Sequence, residues 1–181
     1  MILDVVQGPH DVLAAVAKPI QKIDKEVLQL IEDMKETLVA QTDPEGIGLA
    51  APQVGKSQQL FIVKPDPEDP FDIYINPKLV LVPDKVLKKE KSERTKLEGC
   101  LSLKVIWGEV KRNKKVHMEW IDETGKSRKA TFSGFYATIL QHEYDHLQGI
   151  LFPRRVLEQN RQLYKSHKDN KGEDVFDPIE I

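Results

Sequence analysis

Two histidines four residues apart are the residues of this chain whose types and spacing could do chemistry. They lie in the stretch QHEYDHLQG (141–149), where Glu143 follows the first histidine. On a helix, residues four apart lie on the same face, so His142 and His146 could bind one metal ion together. Two imidazoles do not make a stable metal site, so a third ligand is needed from elsewhere in the chain.

The identity of the third ligand distinguishes the classes of protein that share this pattern. One class of metallopeptidase continues as H-E-x-x-H-x-x-G-x-x-H, but here Phe152 occupies the last position. A thermolysin-like site would take a later glutamate, and Glu158, Glu173 and Glu180 are the downstream candidates. Cys100, the single cysteine, is the remaining candidate. A thiolate and two imidazoles leave one position open for water, which is the arrangement of catalytic sites.

The composition bounds the class of protein in which these residues act. The chain has 181 residues with 40% hydrophobic and 31% charged residues, which predicts a single domain over 1–181. The net charge of -2 argues against a specific nucleic-acid binder. One cysteine excludes an intrachain disulfide and fits the cytosol. Since we find no membrane span and no targeting segment, we expect a cytoplasmic protein.

The elements that must position the histidines follow from the hydrophobic pattern. The helix that carries them is predicted over 135–148, and the clearest amphipathic helix over 24–41, with Asp24 as its N-cap. Shorter helices are predicted over 11–17 and 156–165, and strands over 59–64, 73–82, 103–111, 114–121 and 127–133, with a hairpin turn at 122–125. The charges of mixed sign over 83–96 predict a solvated hairpin or loop rather than a docking patch. The tail after about 166 is expected to be loosely ordered. This order of elements predicts an α+β fold.

Three segments resemble the signature segments of peptide deformylase. They are GIGLAAPQVG (46–55), EGCLS (98–102) and QHEYDHLQG (141–149), and they occur in the family's order with similar spacing. Further similarity at GPHDVLAAVAKPI (8–20) and INPKLV (75–80) extends the resemblance from about residue 5 to 155. The resemblance implies antiparallel sheets packed around a central helix that carries the H-E-x-x-H motif. It also implies an enzyme that hydrolyses the formyl group from N-formylmethionine at the N-terminus of newly made proteins and releases formate.

The resemblance also implies which residues carry out the reaction. The metal ligands are Cys100, His142 and His146. Glu143 takes a proton from the attacking water and passes it to the leaving amine, while the side-chain amide of Gln53 and the backbone N–H of Leu101 stabilise the oxyanion. The implied physiological ion is Fe²⁺, although Zn²⁺, Ni²⁺ and Co²⁺ also suit these ligands. Without the resemblance, Gln53 would be interpreted as a surface glutamine.

A second set of residues is implied to hold the substrate. These are Ile47, Gly48, Gly99, Phe135 and Tyr136, with Glu98 and Arg112 as an ion pair that braces the segment around Cys100. The substrate peptide would add as a strand beside Ile47, Gly48 and Gly99. Phe135 and Tyr136 either line the methionine pocket or fill the core. The implied partners are N-formylmethionyl nascent peptides at the ribosome, with no membrane and no specific nucleic acid.

The segment after Cys100 departs from the family's pattern. Lys104 stands at the position of a usual proline, and Trp107 stands where a smaller or basic residue is common. Because this segment borders the implied substrate groove, the departure bears on substrate preference. Two competing interpretations are a metallopeptidase of another class and a non-catalytic relative that binds formyl peptides or holds a structural metal. Gln53 and Glu143 argue against the second, since a pure binder does not need Glu143.

Overall fold

The helices of the computed structural model, which describes residues 1–82 and 97–180, lie close to their predicted positions. They are α1 (Asp11–Ala14), α2 (Lys25–Val39), α3 (Gly134–Leu147) and α4 (Phe152–Glu158). Asp24 caps α2, because its carboxylate accepts the backbone N–H groups of Glu26 and Val27. The predicted helix over 156–165 is wrong in its bounds. Helix α4 begins at Phe152 and includes Pro153 in its first turn, which tolerates the missing N–H.

The described strands form two antiparallel sheets. The five-stranded sheet has the order β1-β2-β3-β6-β7, and the four-stranded sheet has the order β4-β5-β8-β9. Their bounds are Gly48–Ala50 (β1), Leu60–Val63 (β2), Asp72–Leu81 (β3), Leu97–Glu98 (β4), Ile106–Glu109 (β5), Lys115–Ile121 (β6), Ser127–Ser133 (β7), Leu163–Lys168 (β8) and Asp174–Pro178 (β9). The register of β3 shifts between Ile75 and Lys78, where Pro77 lacks a ladder N–H. The charged stretch 83–96 lies outside the described residues.

The five-stranded sheet is buried on both faces along β2, its second strand. Along β2, Leu60 and Ile62 belong to a hydrophobic core cluster that includes the buried side chains of α2. Phe61 and Val63 belong to a second core cluster, which includes buried side chains of α3. This alternation follows from the two-residue period of a strand, and burial on both sides explains the unbroken apolar run LFIV. The sheet therefore lies between the two long helices, and α3 packs against one of its faces.

A third cluster lies between the four-stranded sheet and the helices α3 and α4. It contains Cys100, Val110, Phe152, Val156 and Leu163. The ring of Phe152 stacks near the His142 ring of α3, with 6.2 Å between the ring centroids. Helix α3 thus packs against the larger sheet and reaches the smaller one. This is the predicted α+β arrangement of antiparallel sheets around the helix that carries H-E-x-x-H.

The expectation of a loosely ordered tail after about 166 is wrong. Strands β8 and β9 form an antiparallel hairpin there, and β8 pairs with β5. The turn is closed by Asp169, whose carboxylate accepts the backbone N–H groups of Lys171 and Glu173, and by Gly172 at φ +82°. The hairpin has polar side chains on its exposed faces, so its sequence lacks the apolar alternation of a half-buried strand.

None of the helices within residues 1–82 and 97–180 combines the length and the apolar character that a membrane span requires.

Candidate metal centre

The structure brings together Cys100, from the segment after β4, and the two histidines of α3. Cys100 follows the short strand β4, while His142 and His146 lie one turn apart on the helix. One candidate ligand atom from each of the three residues lies within 4.8 Å of the other two. The Sγ atom of Cys100 is 3.3 Å from Nε2 of His146. Residues separated by more than forty positions along the chain therefore meet as a compact group of donors.

These donors fit a single divalent cation. Cys100 and His146 are buried, and Nδ1 of His146 has no hydrogen-bond partner among the described residues. Burial lowers the pKa of His146 well below its ordinary value, so its ring is neutral, the form that binds metals. A thiolate with two imidazoles suits zinc, iron, nickel or cobalt. Three protein donors leave a position for water, as catalytic sites do.

The ring of His142 is oriented by a buried ion pair. Its Nδ1 donates to Oε2 of Glu98 at 3.1 Å, which leaves Nε2 directed at the donor cluster. Glu98 in turn accepts two hydrogen bonds from Arg112, at 2.8 and 2.9 Å. Burial opposes ionisation of Glu98, but the bonds from Arg112 and His142 outweigh it and lower the pKa of Glu98 to about 2. Burial opposes the charged form of His142, but its hydrogen bonds to Cys100 and Glu98 outweigh burial and raise the pKa of His142.

The ion pair continues to an aspartate that sequence reasoning did not single out. Arg112 donates to Oδ2 of Asp145 at 2.6 Å, and Nη2 of Arg155 donates to Oδ1 of the same carboxylate at 2.7 Å. The side chains of Arg112 and Asp145 are each 8% exposed. An acidic residue between two histidines on a buried helix needs partners, and this was the signal available in the sequence. Asp145 therefore connects α3 to α4 and to the ion pair of Glu98 and Arg112.

Glu143 lies beside the donor cluster and is buried. Its Oε2 atom has no hydrogen-bond partner among the described residues. Burial raises the pKa of this carboxyl to about 7. A carboxyl with a pKa near neutrality can both take up and release a proton at physiological pH. Strand β1 approaches it closely, because a Cβ atom added to Gly48 would lie 2.4 Å from Oε1 of Glu143.

Gln53 is a buried residue and not a surface glutamine. It lies in a short 3-10 turn over Ala51–Val54 that follows β1, and it is 2% exposed. Its Oε1 accepts the backbone N–H of Ala50 at 2.8 Å. Its Nε2 therefore faces the opposite way and donates to Sγ of Cys100 and to Oγ of Ser102, at 3.4 Å each. The donor end of the amide is thus fixed beside the thiol.

A cavity of about 270 Å³ opens over the donor cluster. Its walls include residues from each predicted group. The predicted metal ligands among them are Cys100 and His142. The predicted catalytic residues are Gln53, Leu101 and Glu143, and the predicted substrate-binding residues are Ile47, Gly48, Gly99 and Phe135. The walls also include residues that sequence reasoning did not propose, namely Pro44, Glu45, Leu97 and Thr138. The residues that could bind a metal, move a proton and hold a peptide therefore share one opening.

Tyr136 packs against the larger sheet, which is the core position of the two alternatives, and its role in substrate binding stays a prediction. Tyr136 is not among the described residues that line the cavity. Its hydroxyl donates to the carboxylate of Asp72 and lies 3.0 Å from the hydroxyl of Tyr74, and its ring stacks on Phe132. Successive residues of a helix point about 100° apart, so Phe135 faces the cavity while Tyr136 faces the larger sheet.

The comparison with protein families gives this site its context. A family model described as polypeptide deformylase matches residues 2–162. The chain belongs to the polypeptide deformylase family. Members of this family are metal-dependent hydrolases that remove the formyl group from an N-terminal methionine. The family match therefore confirms the predicted family and activity.

Individual deformylases resemble the chain over most of its length. The peptide deformylase of Symbiobacterium thermophilum is 42% identical over 154 residues, which is 83% of this chain and 65% of that protein. The peptide deformylase of Chlorobium limicola is 37% identical over 174 residues, or 93% of this chain and 88% of that protein.

Solved deformylase structures resemble the fold as well. The crystal structure from Thermotoga maritima aligns with a TM-score of 0.71 at 32% identity, and covers 86% of this chain and 97% of that one. The structure from Synechococcus elongatus in complex with actinonin aligns with a TM-score of 0.71 at 36% identity, over 87% of this chain and 82% of that one. The fold of this chain is therefore similar to that of solved deformylases over most of its length.

Proposed function

We propose that this deformylase acts on N-formylmethionyl peptides with Cys100, His142 and His146 as ligands of one ferrous ion and Glu143 as the proton-transfer group. The observation that carries the proposal is the meeting of three metal donors within 4.8 Å of one another, beside a buried carboxylate and at the base of a cavity. When bound, the ion lowers the pKa of a coordinated water to about 7 and polarises the formyl oxygen.

Glu143 moves the proton. Its Oε2 atom, which has no partner among the described residues, accepts the proton of the attacking water. It then donates this proton to the nitrogen of the leaving amine as the carbon–nitrogen bond breaks. A positioned acid–base group contributes typically about 10²–10⁴-fold to the rate. The raised pKa of Glu143 suits both halves of this task, because one carboxyl must gain and lose the same proton in each cycle.

Gln53 and Leu101 stabilise the negative charge that develops on the formyl oxygen. The Nε2 group of Gln53 is held beside Cys100 by the bond that its Oε1 accepts from Ala50. A donor that is already oriented needs no reorganisation as the charge develops. The backbone N–H of Leu101, which also lines the cavity, is the second donor that we assign.

The substrate's main chain runs between β1 and the segment after β4. Ile47 and Gly48 line one side of the cavity and Gly99 lines the other, so an extended peptide can add beside them as a further strand. Phe135 also lines the cavity and is 53% exposed, and we assign it to contact with the methionine side chain. The carbonyl and amide groups of the peptide would then form hydrogen bonds with the protein's backbone, whatever the peptide's side chains.

We infer that the ion is Fe²⁺ in the cell and that the substrates are nascent chains at the ribosome in the cytoplasm. A thiolate-ligated ferrous site is sensitive to oxidation. The iron-loaded protein should therefore lose activity in air, whereas the Ni²⁺-loaded protein should keep it.

The experiment that tests the function measures formate release from formyl-Met-Ala-Ser by iron-loaded protein without oxygen. Wild-type protein should release formate, and Glu143→Ala should lose at least about 10²-fold in kcat while it retains the metal. Glu119→Ala, which removes an exposed carboxylate on β6, is the matched control and should keep wild-type activity. Cleavage of internal peptide bonds would indicate a metallopeptidase of another class, and tight binding without turnover would indicate a non-catalytic relative.

A further inference from the structure

Trp107 forms part of the cavity wall on the side of Gly99. It lies on β5, and its indole ring covers the place where a side chain at Gly99 would stand. A Cβ atom added to Gly99 would lie 2.8 to 2.9 Å from three atoms of this ring. Because Gly99 is a residue beside which we place the substrate's main chain, the indole lies where a substrate side chain would pass.

The C-terminal hairpin, β8 and β9, holds this indole from behind. The indole Nε1–H donates to Oγ of Ser166 at 3.1 Å. The ring of Phe176 meets the indole edge-on, at 86° and with 5.5 Å between centroids. Ser166 and Phe176 are directly paired across β8 and β9, so both side chains lie on the face that Trp107 contacts.

The backbone anchors the hairpin to the strand that carries Trp107. Trp107 is paired with Tyr164, and the backbone N–H of Ser166 donates to the carbonyl oxygen of Val105 at 2.9 Å. The match to the family model ends at residue 162, one position before β8 begins. The contacts that fix the indole thus come from a segment outside the matched part of the chain.

We propose that the C-terminal hairpin is a specificity element, which holds Trp107 as an apolar wall for a side chain that follows formylmethionine in the substrate. The inference rests on the proposed function. The enzyme then prefers peptides with an aromatic or large aliphatic residue after the methionine over peptides with a small polar residue. Ser166 and Phe176 are positioning residues, since they act on the substrate through the indole.

The physical basis is the rigidity of the indole. An aromatic side chain that is already fixed by a hydrogen bond and by an edge contact loses little conformational freedom when a ligand packs against it. Aromatic pairs contribute about 0.5–1.5 kcal/mol beyond the area they bury, which corresponds to about a twofold to tenfold preference. If Ser166 or Phe176 is removed, the indole can leave this orientation and the preference should fall by that factor.

The test compares kcat/KM for formyl-Met-Phe-Ser and formyl-Met-Ser-Ser, with Ni²⁺-loaded enzyme. In wild type we expect the Phe peptide to be favoured. In Ser166→Ala and in Phe176→Ala the ratio of the two kcat/KM values should fall about twofold to tenfold, mainly through KM of the Phe peptide. His167→Ala and Val175→Ala, which change neighbours of these residues along the same strands, are the matched controls and should keep the wild-type ratio.

Three outcomes overturn the inference, and a further outcome separates it from the proposed function. An unchanged ratio in both variants, or an equal loss on both peptides, would mean that the hairpin has a structural role only. If wild-type protein releases no formate from either peptide, the proposed function fails. The inference is then tested by fluorescence in a Trp120→Phe background, where Trp107 is the remaining tryptophan. Binding of formyl-Met-Phe-Ser should change its emission, and the absence of any change would overturn the inference.

Discussion

Replacing Gly48 with alanine would place a methyl group against the carboxylate of Glu143. The new Cβ would lie 2.4 Å from Oε1, 2.7 Å from Cδ and 3.0 Å from Cγ of Glu143. Ordinary van der Waals contact begins at 3.4 Å, so the carboxylate must move by about 1 Å. Because Glu143 is 4% exposed and lies between β1 and the donor cluster, it has little room to move without leaving its position.

The expected result is a fall in kcat of about 10²-fold, since a misplacement of about 1 Å can cost that much. The assay is formate release from formyl-Met-Ala-Ser, with the metal content of the same sample measured by elemental analysis. Metal content should stay at the wild-type level, because Gly48 is not one of the donors. Gly8→Ala is a matched control, since its Cβ would lie 2.9 Å from the flexible end of Leu103 and at an ordinary contact distance of 3.7 Å from the carbonyl oxygen of Ser102, and kcat should stay near wild type.

A double substitution tests the reason for the loss. If Gly48→Ala acts by displacing Glu143, it should cost little more once the carboxylate has been removed by Glu143→Ala. Residues in direct contact are expected to show this non-additivity. The reasoning would be refuted by wild-type kcat in Gly48→Ala, or by a further fall of about 10²-fold when Gly48→Ala is added to Glu143→Ala.

Four further substitutions have defined outcomes. Cys100→Ser should lose the bound metal at concentrations where wild type is saturated, and full metal content would remove Cys100 from the ligand set. Gln53→Leu should lower kcat about 10²-fold with metal retained, as loss of an oxyanion donor does, and a change in KM alone would contradict that role. Asp145→Asn should lower the free energy of unfolding, measured in urea, by about 3 kcal/mol because Arg112 is left without one buried partner. Tyr136→Phe should leave kcat and KM unchanged, and a rise in KM would support a role of Tyr136 in substrate binding.

The donor cluster could be predicted from the sequence because the histidine pair and the segment around Cys100 are each recognisable from local residues. The four-residue spacing of His142 and His146 places them on one face of a helix whatever the rest of the fold does. The pattern left Cys100 and the later glutamates as candidates for the third ligand, and the family resemblance implied Cys100. The structure places the sulfur of Cys100 3.3 Å from Nε2 of His146. The unbroken run LFIV and the amphipathic stretch over 24–41 likewise predicted their elements from local periodicity.

The side of a helix that a residue faces could not be predicted for every position. Phe135 and Tyr136 are adjacent and both aromatic, so composition treats them alike. Their difference depends on which neighbour each side chain meets, and Tyr136 is held away from the cavity by Asp72 and Tyr74 on β3. The strands of the tail were missed for the same reason, because β8 depends on pairing with β5, which lies more than fifty residues earlier in the chain.

Asp145 shows how a residue inside a recognised motif can have a function that the motif does not state. Its carboxylate accepts hydrogen bonds from Arg112, which is 33 positions away, and from Arg155, which is 10 positions away. Arg112 in turn holds Glu98, and Glu98 holds the ring of His142. Since a ligating histidine depends on the partner of its other nitrogen for its orientation, Asp145 acts on the donor cluster through two intermediates. Helix α3 therefore orients His142 in two ways. Its backbone carries the residue, and its Asp145 acts on the ring through the hydrogen bonds of Arg112 and Glu98.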